Sequence, residues 1–160
     1  MLEFSKQDPL SPARCRKRAM DALARREHSR AELERKLADA GFDGQTVADT
    51  LDRLVEERLQ CDARFVEAFI ASRYRQGKGP VRIRAELSDK GVATAIVSNA
   101  LAEAPFDWLA RAREVRLSKY GQSFPADFKD KARQMRFLAY RGFSSEHVQA
   151  AFRPDDPATA

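Results

Sequence analysis

The chain has 160 residues, of which 43% are hydrophobic and 33% charged, and its net charge is +5. This length allows one globular domain or several smaller ones, and the apolar content is sufficient for a folded core. The N-terminal segment lacks a basic stretch followed by an apolar one, and no apolar run reaches the ~20 residues that span a bilayer. Neither a signal peptide nor a membrane anchor is therefore expected. Cys15 and Cys61 lie outside any Cys-x-x-Cys motif, which favours a reduced, cytoplasmic setting in which both are small core residues.

The first predicted unit, residues 13–60, contains three helices. Apolar residues at helical spacing predict a helix over 13–25. Ser29 and Glu32 form a capping-box pattern, in which a hydroxyl and a carboxylate satisfy backbone amides at a helix start. That helix is expected to end at Gly41, because glycine readily takes the left-handed conformation of a helix terminus. A third helix is predicted over about 45–58.

The second predicted unit, residues 61–105, follows the same plan. Asp62 is expected to cap a helix that ends at the Gly77-Lys78-Gly79 segment. Pro80 then opens the next helix at a first-turn position that proline tolerates. That helix is predicted to stop at Gly91, before a third helix over 94–104.

The third predicted unit, residues 106–153, begins with a helix capped by Asp107. A second helix follows Pro125 and is expected to end near Gly142. Ser144 or Ser145 is predicted to cap the last helix. The flanking residues 1–12 and 154–160, which contain prolines among polar residues, are predicted to be flexible.

One pattern relates the three units: a leucine, a glycine four residues later, and apolar residues six and ten after that glycine. Its copies are Leu37, Gly41, Val47 and Leu51; Leu87, Gly91, Val97 and Leu101; and Leu138, Gly142, Val148 and Phe152. Repetition at this period indicates stacked units that are each too small to bury an apolar face alone. Because alternating strand patterns are absent, we predict an all-α fold of three tandem three-helix, helix-turn-helix-like repeats that form an elongated, curved array.

In order along most of the chain, these motifs resemble the RecX family of recombination regulators. The matching residues are Ala22, Leu23, Arg26, Ser29, Glu32, Leu33, Leu37, Gly41, Leu59, Asp62, Phe65, Arg73, Gly77, Gly79, Arg82, Ile83, Glu86, Leu87, Gly91, Lys131, Arg133, Leu138, Arg141, Gly142 and Phe143. The chain departs from the pattern at Gln60-Cys61, and at Gln134, where the first two units have Leu33 and Ile83.

The resemblance implies a negative regulator of the RecA recombinase, active in recombinational DNA repair and the SOS response. Such a protein lodges in the groove of the RecA–DNA filament and limits its extension or promotes its disassembly. It thereby inhibits the ATPase, strand-exchange and coprotease activities of RecA. The expected partners are the filament and also the free RecA protomer, and the chain is expected to be monomeric.

The Gly77-Lys78-Gly79-Pro80 segment has the small residues and nearby cations of a phosphate cradle. It lacks the GxxxxGK[ST] spacing of a nucleotide-binding loop, so a tight turn between helices is the favoured interpretation. Lys78, Arg82 and Arg84 are predicted to project from this turn to a partner. Replacing all three with alanine is expected to weaken RecA inhibition without loss of helicity.

A basic stripe in the third unit favours an alternative function, a non-specific single-stranded DNA-binding module that competes with the recombinase for DNA. The stripe consists of Arg111, Arg113, Arg116, Lys119, Lys129, Lys131, Arg133 and Arg136. Sequence-specific reading of DNA is not expected, because the helices after the repeat glycines have few side chains that read bases. A helical scaffold unrelated to recombination is a third alternative.

No residues support an enzyme: His28 and His147 are single, and neither a catalytic set nor clustered metal ligands can be identified. We therefore predict no catalytic, cofactor-binding or metal site. Arg and Tyr are enriched at interface hot spots, and Tyr74, Tyr120 and Tyr140 lie beside cations. The predicted partner-binding residues are Arg26, Arg73, Tyr74, Arg75, Lys78, Arg82, Arg84, Arg113, Arg116, Lys131, Arg133 and Arg141.

Overall fold

A computed structural model describes residues 8–153, which form nine α-helices and no β-strand. The helices are α1 (Pro12–Arg25), α2 (Arg30–Asp39), α3 (Gly44–Glu56), α4 (Asp62–Arg75), α5 (Pro80–Asp89), α6 (Thr94–Glu103), α7 (Trp108–Tyr120), α8 (Phe128–Tyr140) and α9 (Ser145–Ala150). The all-α prediction is confirmed. Of the segments predicted to be flexible, residues 1–7 and 154–160 lie outside the described residues. Residues 8–11 precede α1, and the Pro9 carbonyl there accepts a hydrogen bond from Asp43 N at 2.9 Å.

The helix starts follow the predicted capping signals, with one exception. Ser29 Oγ accepts from Glu32 N at 3.1 Å and Glu32 Oε1 accepts from Ser29 N at 3.2 Å, which completes the capping box of α2. The exception is Asp62, which is the first residue of α4 and does not cap it. Its Oδ1 instead accepts from Arg30 N at 2.9 Å and thereby satisfies an amide in the first turn of α2.

The chain folds into two compact units. Unit 1 combines the described part of Met1–Ala68 with Leu87–Ala100, and unit 2 combines Phe69–Glu86 with the described part of Leu101–Ala160. The division passes through α4, α5 and α6, so the second predicted repeat contributes to both units. The boundaries predicted for the three repeats stay predictions.

Each unit has its own apolar core. In unit 1, α1, α2 and α3 pack together around Leu33, Leu37 and other buried side chains. In unit 2, α7, α8 and α9 pack around Val115, Leu138 and Phe143. Full burial of a side chain of this size stabilises the fold by about 1.5–3 kcal/mol.

In each unit, the start of the second helix of one repeat contacts the turn that contains the repeat glycine of the next. These helices are α2 in unit 1 and α5 in unit 2. In unit 1, Ser29 Oγ at the start of α2 donates to the Lys90 carbonyl at 2.8 Å. In unit 2, Gly79 N donates to the Arg141 carbonyl at 2.8 Å and Val81 N donates to the Gly142 carbonyl at 2.9 Å. Gly91 and Gly142 therefore lie where one repeat meets the preceding one, and the contact in unit 2 consists of backbone against backbone.

The last helix contains a titratable cap. His147 is the third residue of α9, and its Nδ1 accepts a hydrogen bond from Ser144 N at 3.3 Å. Burial lowers the pKa of His147, so the folded protein favours the neutral imidazole that can accept this bond. A protonated imidazole would lose the bond and place a positive charge at a helix N-terminus.

We expect this histidine to make stability depend on pH. Its contribution is present above pH about 6.5, the pKa of an unfolded histidine, and is lost as the pH falls through the lowered pKa of the folded state. A His147→Gln variant keeps an acceptor at this position without titrating. Its free energy of unfolding in urea should therefore fall less than that of the wild type when the pH is lowered from about 7.5 to about 5.5. An equal fall in both proteins would contradict the role of the His147 cap.

None of the helices in residues 8–153 has both the length and the apolarity needed to cross a membrane.

Candidate functional site

The C-terminal end of α4 is held by two arginines from the third repeat. Arg111 donates from Nε and Nη2 to two successive carbonyls at 2.9 and 3.0 Å. Arg141 donates from Nε and Nη2 to the next two carbonyls. The four acceptors, in the same order, are Tyr74, Arg75, Gly77 and Gln76. Carbonyls at a helix C-terminus have no intrahelical donor and lie at the negative end of the helix dipole. Arg141 therefore has a structural role within unit 2, and its contact with a partner stays a prediction.

A single carboxylate, Glu86, holds three of the predicted cations. Its oxygens lie 2.9 Å from Arg73 Nε, 3.3 Å from Lys78 Nζ and 3.5 Å from Arg82 Nε. Burial raises the pKa of Glu86, but hydrogen bonds from Arg73 and Lys78 outweigh that effect and bring the pKa below its ordinary value. The Lys78 side chain is only 17% exposed. Lys78 is therefore held against Glu86 within unit 2, and its contact with a partner stays a prediction.

Two polar side chains of the third repeat are buried in unit 2. Arg116, which is 5% exposed, donates from Nε to the Ala151 carbonyl at 3.0 Å and from Nη1 to Gln134 Oε1 at 3.4 Å. Gln134 is 3% exposed. Arg116 therefore has a structural role in the core of unit 2, and its contact with a partner stays a prediction.

Three further predicted residues have partners inside their own unit. Tyr74 stacks on Phe106 with ring centroids 4.2 Å apart, so its ring is half-buried. Arg113 Nη2 donates to the Arg153 carbonyl at 3.2 Å. In unit 1, Arg26 Nη2 lies 3.0 Å from Glu32 Oε2 and thus reinforces the capping box of α2.

Several of the predicted residues are exposed, and one of them, Arg133, belongs to an exposed stripe along α8. Arg75, Arg84, Lys131 and Arg133 are exposed. Lys129, Arg133, Arg136 and Tyr140 succeed one another at intervals of four, three and four residues, which places them on one helix face. The buried residues Gln134 and Leu138 lie on the opposite face. Lys129 and Arg136 belong to the basic stripe predicted for DNA contact, and Tyr140 is one of the tyrosines predicted beside cations, but the helical period of α8 was not used to place them together.

This stripe meets the start of α5 at Tyr140. The Arg82 guanidinium carbon lies 5.7 Å from the centre of the Tyr140 ring. Val81, whose amide is bonded to Gly142, leaves 56% of its surface exposed, and Tyr140 leaves 77%. We call this region the Tyr140 surface; it comprises Val81, Arg82, Lys129, Arg133, Arg136 and Tyr140. It combines cations with an aromatic and an aliphatic side chain, a composition that is typical of protein interfaces.

The part of the chain that the structure describes has no group of three or more His, Cys, Asp or Glu side chains placed to hold a metal ion.

Comparison with known families matches three models in order along the chain. They are the first three-helix domain of RecX over residues 15–54, the second over 62–101 and the third over 107–152. The prediction of three tandem three-helix repeats is confirmed.

Individual relatives agree with this assignment. The regulatory protein RecX of Ectopseudomonas mendocina is 44% identical over 91% of this chain and 97% of its own length. That of Halorhodospira halophila is 47% identical over 83% of both chains. The crystal structure of RecX from Lactobacillus salivarius matches the fold with a TM-score of 0.74 at 18% identity and covers 88% of this chain and 93% of that one. The family models and relatives together show that the chain belongs to the RecX family of regulatory proteins.

Proposed function

We propose that the chain is a negative regulator of RecA that binds the RecA–DNA filament, limits its extension or promotes its disassembly. Inhibition of the ATPase, strand-exchange and coprotease activities would follow from either effect. The observation that carries this proposal is the ordered match of all three RecX domains over most of the chain. Since a DNA-bound recombinase is the proposed partner, we also propose a cytoplasmic location.

The physical basis of the proposed regulation is binding and not catalysis. The closely paired polar groups of unit 2 have structural roles. Glu86 binds Arg73, and the Arg111 and Arg141 guanidinium groups bind backbone carbonyls at the end of α4. The exposed cations and Tyr140 remain available for contact. A filament repeats the same surface along its axis, so linked contacts from successive repeats would add to one another through a high effective concentration.

DNA-stimulated ATP hydrolysis by RecA tests this proposal. We expect the added protein to lower the rate in proportion to the ratio of protein to RecA, because the inhibitor occupies RecA in the filament. Excess single-stranded DNA should not restore the rate. Complete relief by excess DNA would contradict filament binding.

The second candidate function is non-specific binding of single-stranded DNA, as the sequence suggested. It is favoured by two exposed rings before and at the start of α8, Phe124 and Phe128, which lie close in sequence to the exposed Lys129 and Lys131. Aromatic rings beside cations can stack bases while the cations contact phosphates. Binding of a fluorescent oligonucleotide should then weaken with salt, with a slope of log K against log salt of about −0.7 per phosphate contact. Binding that ignores salt would contradict this mode.

A further inference from the structure

We propose that the Tyr140 surface is where unit 2 contacts the recombinase, and that its partner is an acidic protein surface with an apolar recess. The inference rests on the proposed function and goes beyond it, because it assigns the contact to particular side chains and states the chemistry they would recognise. Three observations support it: the charge of the surface, its exposed apolar side chains, and the fixed geometry of its components.

The charge of the surface indicates an anionic partner. Four of its six members are cations, and within residues 8–153 neither Lys129 nor Arg136 has an ion-pair partner. Arg133 is partly neutralised by Asp130, whose Oδ1 lies 2.7 Å from its Nη2. Carboxylates on a partner would pair with Lys129 and Arg136 without first breaking an ion pair. Complementary charge of this kind raises association rates and sets specificity.

The exposed apolar side chains favour a protein partner over a nucleic acid. Val81 contributes nothing to phosphate contact, but burial of its exposed surface against a protein would be favourable. The Arg82 guanidinium already lies over the Tyr140 ring, which leaves less of the ring for stacking by a base. Arginine and tyrosine are, by contrast, both enriched among the hot-spot residues of protein interfaces.

Backbone hydrogen bonds between α5 and the end of α8 fix the geometry of the surface. The Gly79–Arg141 and Val81–Gly142 backbone hydrogen bonds attach the start of α5 to the end of α8. Arg82 is further tethered by Glu86. Val81, Arg82 and Tyr140 are therefore presented in a set arrangement, which reduces the entropy lost on binding.

Three variants of the full-length protein test the proposal. Tyr140→Ala removes the exposed ring, and Tyr140→Phe keeps it. Lys129→Glu with Arg136→Glu reverses two charges seven residues apart. The matched control is Arg18→Glu with Arg25→Glu, which reverses two exposed charges of α1 at the same seven-residue spacing. All variants are first checked for wild-type helicity by circular dichroism.

The readouts are inhibition of DNA-stimulated RecA ATPase and binding to a fluorescent single-stranded oligonucleotide without RecA. We expect Tyr140→Ala to raise the half-inhibitory concentration about tenfold or more, as for a hot-spot tyrosine. The Lys129→Glu/Arg136→Glu variant should show a loss of similar size. Tyr140→Phe and the α1 control should stay within about twofold of the wild type. Oligonucleotide binding should be the same for Tyr140→Ala and the wild type.

Several outcomes would overturn the proposal. Wild-type inhibition by both Tyr140→Ala and the α8 charge reversal would exclude this surface while the proposed function stands. A loss of inhibition that parallels a loss of oligonucleotide binding would assign the surface to nucleic acid. An equal loss in the α1 control would show that overall charge is responsible. If the wild type itself fails to inhibit RecA, the proposed function falls, and this inference falls with it.

Discussion

A Gly79→Ala variant should lose about 3 kcal/mol or more of its free energy of unfolding. A methyl group at this position would lie 2.3 Å from the carbonyl carbon and oxygen of Gly142 and 2.4 Å from Phe143 N. All three are backbone atoms, so no side-chain rotation can relieve the clash. The clash is relieved only if the turn at Gly79 moves away from the turn at Gly142. That movement breaks the Gly79–Arg141 and Val81–Gly142 hydrogen bonds and leaves buried groups unpaired.

Gly44→Ala is the matched control, because a methyl group there has no atom within 4 Å and the residue begins α3. Its stability should change by less than about 1 kcal/mol. Unfolding in urea can be followed by the fluorescence of Trp108, the single tryptophan, which lies in unit 2. If the two variants unfold at the same urea concentration, the turns do not approach as closely as described.

An Arg116→Ala variant should show the second large effect, a loss of about 2–4 kcal/mol. The substitution leaves the Ala151 carbonyl and Gln134 Oε1 without the donors they have in the folded protein. It also removes the guanidinium that lies 4.8 Å from the centre of the Phe152 ring, so a cavity adds to the cost.

A double variant distinguishes the cost of leaving polar groups unpaired from the cost of removing the side chain at position 116. Arg116→Met with Gln134→Leu replaces the buried polar pair with apolar side chains of similar length. Such replacements are often neutral or stabilising, because no charge then needs to be desolvated. The urea midpoint of the double variant should lie above that of Arg116→Ala, because the Ala151 carbonyl is then the one group left without its Arg116 donor. If the double variant is as unstable as Arg116→Ala, the Arg116–Gln134 pair stabilises the fold by more than its own hydrogen bond.

Local signals explain how much of the fold could be predicted from the sequence. The Ser29–Glu32 capping box, Pro80 at a first turn and Asp107 at an N-cap each act within four residues, and each lies at the predicted helix start. The repeat glycines mark where helices end for the same reason. These features depend on backbone groups close in sequence, so the residues that decide them can be read together.

The candidate site could not be predicted in the same way, because it is formed by contacts between residues far apart in the sequence. Arg141 donates to carbonyls more than sixty residues earlier in the chain, and nothing near it in sequence indicates them. The many arginines of α7 and α8 therefore suggested a binding surface. In the structure, several of these side chains bind the carbonyls at helix ends. The side chain of Asp62 likewise satisfies an amide of α2 and not one of its own helix.

The burial of Arg116 could have been found from the repeat. The buried positions of α4 include Val66, Phe69 and Ile70, and those of α7 at the same spacing are Ala112, Val115 and Arg116. Arg116 thus occupies the register of Ile70, and that register faces a core. Its hydrogen-bond partner Gln134 corresponds to Leu33 and Ile83, so the two departures from the apolar pattern compensate each other.

We propose above that this member of the RecX family recognises a recombinase filament and not DNA alone. Binding of the fluorescently labelled protein can be compared on preassembled RecA–single-stranded DNA filaments and on the same DNA without RecA, at equal DNA and salt concentrations. We expect binding that saturates in proportion to RecA on the filament, with much weaker binding to the bare DNA. Equal or tighter binding to the bare DNA would contradict it.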